Sequence, residues 1–559
     1  MIEVKQIEFL KLDSICFTNF LGKRLFMKES NDSAKIKLDK FTFWCSLIAI
    51  VSLCSVCVIA PSAANETIGL VKNYFMTSWD WMFLLFGIAA LVGTLFVAFS
   101  KYGNIRLGRP DEKAQYSMIS WVAMMFCSAV GSTIIIWSVC EPLYYLATPP
   151  FGYEAFSPDA YNVAVAYGMF HWGPIAWAMF ALPTLPVAYH LLVRNRSDTK
   201  ISEVIASAFN GKGKRALKIV DILVVFATFG AIGPGLGLGV PMLSSLISEL
   251  FNIPRTTTLD LAILGVWIII FTWSVYQGLD KGIQKLSNIN VYLIYAIIIF
   301  IFLVGPTEFI LQNTVDSLGN MFQWFPKMAT FTDPIQGGGF AQSWTVFYWA
   351  WYLAFVPLMM VFNAKISRGR TIREFLLGIL IVGSIGTILF FMVMGNYTVY
   401  LQSNGIVDLV SVVLNEGTVA ATIAMYQTLP CTELVLIVLI ALYFIFLATC
   451  IDSGSYAMAV VTSEKLESGQ HPTRNNRLVW AGTIALLGIS MFRLGDGLSA
   501  IQASVVVLGF PVMFISLVMF YAQWKFFKED FGTLKNAPPL IKNYYKDDQV
   551  DTKLEETKK

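Results

Sequence analysis

From position 344 the chain reads Trp-Thr-Val-Phe-Tyr-Trp-Ala-Trp-Tyr-Leu-Ala-Phe-Val-Pro. Trp344, Tyr348, Trp351, Tyr352, Phe355 and Met359 fall at offsets 0, 4, 7, 8, 11 and 15. That spacing stacks them along one face of a helix. An aromatic wall inside an apolar segment suits one ligand chemistry above others. A quaternary ammonium ion has no N–H to donate, so an aromatic π face is its natural partner, at about 0.5–2 kcal/mol per ring.

Other segments carry chemistry of a different kind. Cys127-Ser-Ala-Val-Gly-Ser-Thr133 is small and hydroxylic. It reads either as a tight helix contact or as a loosened helix that turns backbone carbonyls toward a cavity. Glu141-Pro-Leu-Tyr-Tyr145 adds a carboxylate, expected at a helix end near the water boundary with a structural or a functional role, and a further ring at Tyr144. Phe170-His-Trp-Gly-Pro-Ile-Ala-Trp177 sets two tryptophans around a Gly-Pro pair that predicts a kink. His171 is expected to make a packing hydrogen bond rather than relay protons. Gly230-Ala-Ile-Gly-Pro-Gly-Leu-Gly-Leu-Gly239 reads as a packing and flexing element. Thr449 offers a hard oxygen suited to Na⁺, and Asp452 needs a partner or a wet cavity.

The elements that must position these residues are membrane helices. Of 559 residues 56% are hydrophobic and 14% charged, against about 25% charged in soluble domains. Mean hydropathy is +0.63. The net charge of +3 gives no reason to expect a nucleic-acid partner. Apolar runs of membrane-crossing length recur near 42–62, 79–100, 116–146, 160–193, 219–251, 257–279, 288–308, 341–364, 372–397, 431–463, 478–493 and 500–527. The fold class is therefore an all-α polytopic membrane protein of about twelve transmembrane helices. It divides into an N-terminal tail (1–41), a membrane domain (42–527) and a C-terminal tail (528–559).

Alternate loops 101–115, 194–218, 280–287, 365–374 and 464–477 hold 20 Lys and Arg, and the opposite loops hold four. The positive-inside rule places both tails in the cytoplasm. Residues 309–325 read as an amphipathic helix along the interface, and 405–427 as a second candidate. The three histidines lie far apart in sequence with no metal-ligand pattern. No nucleophile elbow, phosphate loop or paired intramembrane carboxylate is evident in the sequence, so no enzyme is expected.

The stretch from Trp344, together with Ala364-Lys-Ile-Ser-Arg-Gly-Arg-Thr-Ile-Arg-Glu374, resembles the signature of the betaine/carnitine/choline transporter family. Supporting matches are Thr148-Pro-Pro-Phe-Gly152, His171-Trp-Gly-Pro174, Thr332-Asp-Pro-Ile335 with Gly338-Gly-Phe340, and Asp452-Ser-Gly-Ser455. The resemblance implies twelve spans, of which the third to the twelfth form two inverted five-helix repeats of the LeuT type (spans 3–7 and 8–12). It implies a homotrimer in the plasma membrane, in contact with lipid, moving trimethylammonium compounds by alternating access. The family's aromatic box falls on Tyr144, Trp172, Trp351 and Tyr352. Trp177 and Phe180 sit where some members add rings. Trp344, Phe355 and Met359 lie where the carnitine branch has a second contact region, and the local motifs are nearest that branch.

Three departures bear on coupling and selectivity. Tyr352 stands where Trp is usual, and Phe355 lacks a polar tip. Asn290 occupies the position of an Arg that replaces sodium in the sodium-independent carnitine/γ-butyrobetaine exchangers. The resemblance leaves a Na⁺ near Thr449, Cys450, Ala129 and Val130, or a proton, as the coupling ion, with no other cofactor. A second family sodium position finds Thr228 on one side but Ile232 on the other. The expected function is secondary transport of glycine betaine, carnitine, γ-butyrobetaine or choline. The alternatives are a sodium-independent exchanger or, more distantly, a symporter of another solute on the same fold.

Overall fold

The computed structural model describes residues 36–130, 133–196, 200–277, 279–464, 466, 470–494 and 497–532. The expected tails therefore lie almost wholly outside the described residues. Among those described, every regular element is a helix, and the only bridges are isolated ones at Leu38–Ser463 and Arg106–Thr371.

Among the described residues eight helices are long and apolar enough to cross a bilayer: Lys40–Ile59, Asp80–Phe99, Pro158–Leu192, Lys218–Phe251, Ala341–Ile366, Ile372–Ser403, Thr432–Val461 and Val505–Phe531. These are spans 1, 2, 4, 5, 8, 9, 10 and 12. Two bent pairs raise the number to ten: Met118–Ala129 with Thr133–Ala147 (span 3), and Asn288–Val304 (span 7) with Thr307–Thr330. Helices Thr257–Gln277 (span 6) and Arg474–Leu494 (span 11) occupy the two remaining expected positions.

The 111° turn before Thr307–Thr330 lays that helix across the end of span 7. Pro306 has no N–H to continue the ladder. Ile310, Thr314, Ser317 and Met321 are buried along one stripe of the turned helix, while Leu311, Val315 and Phe322 are exposed. This is the interfacial helix expected at 309–325. The 405–427 segment forms two short helices, Leu409–Asn415 and Thr418–Gln427. Helix Pro61–Ser78 has no counterpart in the expected elements. Asn65, Glu66, Lys72 and Asn73 make it too polar to span, which hid it from a hydropathy reading.

Spans 3–7 and 8–12 pack in reciprocal fashion. The third helices of the two sets, spans 5 and 10, pack together, and so do the fourth helices, spans 6 and 11. Span 4 packs on span 8 as span 9 packs on span 3; span 12 packs on span 5 as span 7 packs on span 10. Exchange of the two sets maps each contact onto another, the relation expected of two repeats. Because each set holds an odd number of spans, the second enters the membrane from the opposite side, so the repeats are inverted.

Glycines allow these contacts to be close. A Cβ at Gly230 would lie 2.3 Å from Leu508 on span 12, and one at Gly239 would lie 2.9 Å from Leu447 on span 10. The 230–239 run is thus a packing element, and span 5 continues as one helix through Pro234 and Pro241. Asp452 finds a partner rather than a wet cavity: Arg477 on span 11 donates to it at 2.8 Å, with both side chains buried.

Candidate functional site

Span 4 breaks where local chemistry requires it. Helix Pro158–His171 ends, Trp172 and Gly173 leave the helical conformation, and Pro174 opens the second half. A Cβ at Gly173 would lie 2.6 Å from the Met169 carbonyl, so only glycine fits the turn. The break also leaves carbonyls without helical partners. Tyr352 of span 8 donates its hydroxyl to the His171 carbonyl at 2.9 Å, and Thr387 of span 9 donates to that of Trp172 at 2.5 Å. The hydroxyl that distinguishes Tyr352 from the usual Trp therefore closes the kink.

The aromatic wall of span 8 starts in a π-helical turn, Ala341–Val346, and continues in helix Phe347–Ile366. Tyr348 stacks on Trp344 at 6.5 Å, on Trp351 at 6.0 Å and on Tyr352 at 6.0 Å, and Phe355 follows 6.4 Å from Trp351. Trp172, carried by the break in span 4, meets this wall edge-on. Its centroid lies 5.5 Å from Tyr348, 5.9 Å from Trp351 and 6.0 Å from Tyr352, with interplanar angles of 61–81°.

Three of the four expected box residues, Trp172, Trp351 and Tyr352, are thus brought together. The fourth, Tyr144, is half-buried and touches Trp344 instead, at 5.2 Å. Trp137, one helical turn before Glu141, bridges the two groups at 6.1 Å from Trp344 and 6.5 Å from Trp351. Sequence reasoning passed over Trp137, although it lies seven residues from Tyr144, a separation that places two side chains on one helix face.

The outlying candidates separate further. Trp177 points away from the cluster. It donates to Thr387 at 3.1 Å, stacks on Phe126 at 5.9 Å and covers Gly383, where a Cβ would sit 2.2 Å from its ring. Phe180 connects it back to Tyr352 at 5.4 Å. Met359 is buried one turn beyond Phe355, and its sulfur accepts from Asn363 at 3.6 Å.

Glu141 corrects the expectation of a helix-end carboxylate near water. It lies inside helix Thr133–Ala147 and is fully buried. One carboxylate oxygen accepts from Trp172 Nε1 at 2.5 Å and from the Tyr348 hydroxyl by a very short bond. The other accepts from the Tyr145 hydroxyl at 2.8 Å. Tyr145 in turn lies 2.9 Å from His171 Nδ1, and His171 Nε2 lies 3.0 Å from the Thr345 hydroxyl. His171 does make packing hydrogen bonds, through both ring nitrogens. The network ties spans 3, 4 and 8 together directly behind the rings.

The expected sodium position is described only in part. Ala129 ends the first half of span 3 and Val130 caps it, while the side chains of Thr449 and Cys450 lie outside the described residues. Thr228 donates to the Val224 carbonyl within its own helix, and Ile232 is packed onto Gly454, where a Cβ would meet it at 2.1 Å. Asn290 is fully buried, and neither side-chain atom has a hydrogen-bond partner among the described residues. Among the described residues no group of three or more His, Cys, Asp or Glu could hold a metal ion.

Comparison with known proteins gives two findings. The family model described as BCCT, betaine/carnitine/choline family transporter, matches residues 41–532. Among solved structures, a Na⁺-coupled sialic acid symporter in a substrate-bound outward-open state is similar at 13% identity and a TM-score of 0.45, over 79% of this chain and 86% of that one.

Proposed function

The chain belongs to the betaine/carnitine/choline family of transporters, and from that premise we propose that it moves a trimethylammonium compound by alternating access, caging the ammonium between Trp172, Trp351 and Tyr352. One observation carries the reading. Three electron-rich rings from two different spans converge at the break of span 4. A cation held by rings lies within about 6 Å of each centroid. Trp172 and Trp351 touch edge to face, so their π faces become available to a ligand when span 4 shifts against span 8. Alternating access is a separate motion, in which the first two helices of each repeat, spans 3, 4, 8 and 9, rock together against the rest and carry the cage with them.

Among the described residues the buried Trp351 N–H has no acceptor. It is a donor that a substrate carboxylate can use, which favours glycine betaine, carnitine or γ-butyrobetaine ahead of choline. Tyr144, Trp344 and Trp137 form the neighbouring ring group, and Phe355 and Met359 continue the wall beyond the cage. We place the protein in the plasma membrane as a homotrimer with both termini cytoplasmic.

Sodium-coupled uptake is the first reading for the driving force, through an ion at the break of span 3 near Ala129, Val130, Thr449 and Cys450. Sodium-independent exchange is the second, favoured by Ile232 filling one side of the other family position. Uptake of labelled carnitine and glycine betaine into proteoliposomes tests both. Accumulation in empty vesicles only under a Na⁺ gradient supports symport. Uptake that ignores Na⁺ and needs preloaded substrate supports exchange. No uptake of any trimethylammonium compound under either regime overturns the reading.

A further inference from the structure

Glu141 is a fully buried carboxylate in the middle of the helix bundle. Among the described residues no Lys or Arg ion-pairs or hydrogen-bonds with it; its partners are Trp172, Tyr348, Tyr145 and, at 4.0 Å, His171. A structural carboxylate at such a place ordinarily has a cation beside it. Here we propose that Glu141, Tyr145 and His171 form an intramembrane proton-binding site that is emptied when substrate seats on Trp172. The proposal rests on the transporter reading above.

Donor accounting supports it. With Glu141 ionised, the Trp172 N–H and the Tyr348 hydroxyl donate to one oxygen, and the Tyr145 hydroxyl donates to the other. His171 then donates from Nδ1 to the Tyr145 oxygen and accepts at Nε2 from Thr345. Every polar hydrogen has an acceptor. A proton arriving at Nε2 passes along the same chain. The Nδ1 proton moves to the Tyr145 oxygen, and the phenolic proton moves to Glu141 Oε2. Glu141 now donates to Tyr145, Tyr145 to His171 Nδ1, and His171 Nε2 to Thr345. One proton has entered, and Glu141, Tyr145 and His171 keep every bond between them; the one change outside the chain is that the Thr345 hydroxyl, now an acceptor, gives up the ring nitrogen its own hydrogen used. A chain that keeps its internal bonds in both states leaves the carboxylate without an orphan oxygen in either.

The same geometry sets the sign of the coupling. Trp172 is both a wall of the cage and a donor to Glu141. A substrate ammonium on that ring puts a positive charge near the carboxylate and favours its ionised form. In the empty carrier no such charge is present, and among the described residues no cation offsets the charge of the buried carboxylate. Substrate and proton therefore exclude one another. The other titratable groups that interact with Glu141 are Cys140 on its own helix and Tyr352 on span 8; beyond them Tyr167 on span 4 lies near Tyr145, and Tyr144 and Tyr426 lie near Cys140. On span 9, Tyr397 is engaged with Thr428. Glu141 is thus the acidic member of this set.

The test uses purified full-length protein in weakly buffered detergent solution, with a pH-indicator dye. Glycine betaine and choline are added between about pH 5 and about pH 9, and binding is followed in parallel by tryptophan fluorescence. Proton release on binding is expected, at most about one per protomer and varying with pH. E141Q keeps an acceptor for Trp172 and Tyr348 but cannot ionise. It is expected to bind substrate without releasing a proton. Tyr145→Phe leaves the carboxylate and cuts the chain to His171, so release is expected to become slower in stopped flow. Substrate binding with no proton release at any pH overturns the proposal, as does undiminished release from E141Q or unchanged release kinetics in Tyr145→Phe. If neither compound binds the wild-type protein at all, it is the substrate reading that fails.

Discussion

Removal of the Trp351 ring offers a quantitative test of the cage. The ring is 3% exposed and packs on Phe347 at 5.6 Å, Tyr348 at 6.0 Å, Trp172 at 5.9 Å and Phe355 at 6.4 Å. Among the described residues its N–H has no acceptor, so substitution orphans none of them. Trp351→Ala should abolish most transport, but it also opens a cavity that costs about 3–5 kcal/mol in a well-packed core. Trp351→Leu leaves a smaller cavity while still removing the π face. Loss of one ring's cation–π attraction, about 0.5–2 kcal/mol, corresponds to a rise in Kd of about 2- to 30-fold. Trp351→Phe keeps a π face and should lie between Leu and wild type.

The assay is equilibrium binding of a trimethylammonium ligand beside its neutral tert-butyl isostere. The two have nearly the same shape, so packing losses cancel and the difference isolates charge. Wild type should prefer the ammonium, and Trp351→Leu should lose part of that preference while eluting as an intact assembly. Equal losses for both ligands, or an unchanged Kd for the ammonium, would refute the cage.

Further substitutions probe what holds the kink and the helices around it. Tyr352→Phe strips the His171 carbonyl of its donor at the kink, a buried acceptor worth about 1–3 kcal/mol. It should lower thermal stability while retaining the ring, so substrate affinity should fall less than in Trp351→Leu. Breaking the buried pair with Asp452→Asn or Arg477→Met should each cost about 3–5 kcal/mol, read as loss of folded protein on gel filtration after heating. The double variant should recover much of that loss. Asp39, just outside span 1, is partly buried, which raises its pKa, but Lys200 and Lys218 outweigh that effect and hold it below the usual carboxylate range. Its contribution to stability is present above about pH 4 and disappears as pH falls through the lowered value. Wild type should therefore lose more stability on acidification than Asp39→Asn, and identical acid profiles would count against the pairing.

Much of the site's outline is legible in the sequence because it depends on local chemistry. The offsets of Trp344, Tyr348, Trp351, Tyr352 and Phe355 describe a helix face wherever that helix packs. Gly173-Pro174 breaks span 4 because proline has no N–H to donate and only glycine fits so close to the Met169 carbonyl. The interfacial helix after Pro306 follows from an amphipathic pattern behind a proline. Other features left no local signal. Glu141 reads as a helix-end residue because nothing in its neighbourhood of sequence shows that spans 4 and 8 cover it. Trp177 reads as a cage ring because it flanks the same Gly-Pro pair as Trp172, yet it turns toward the surface opened by Gly383 on span 9.

The sequence by itself determined the class of the molecule, its membrane-length helices, the aromatic face and the family. Each of these depends on composition, on periodicity or on motifs read along the chain. Tertiary structure alone decided which rings meet, that Tyr144 joins Trp344 rather than Trp172, that Asp452 pairs with Arg477, and that one carboxylate collects donors from three spans. Those outcomes depend on the packing of helices that lie far apart in the chain. Burial, hydrogen-bond partnership and charge compensation are properties of that packing and not of any one segment.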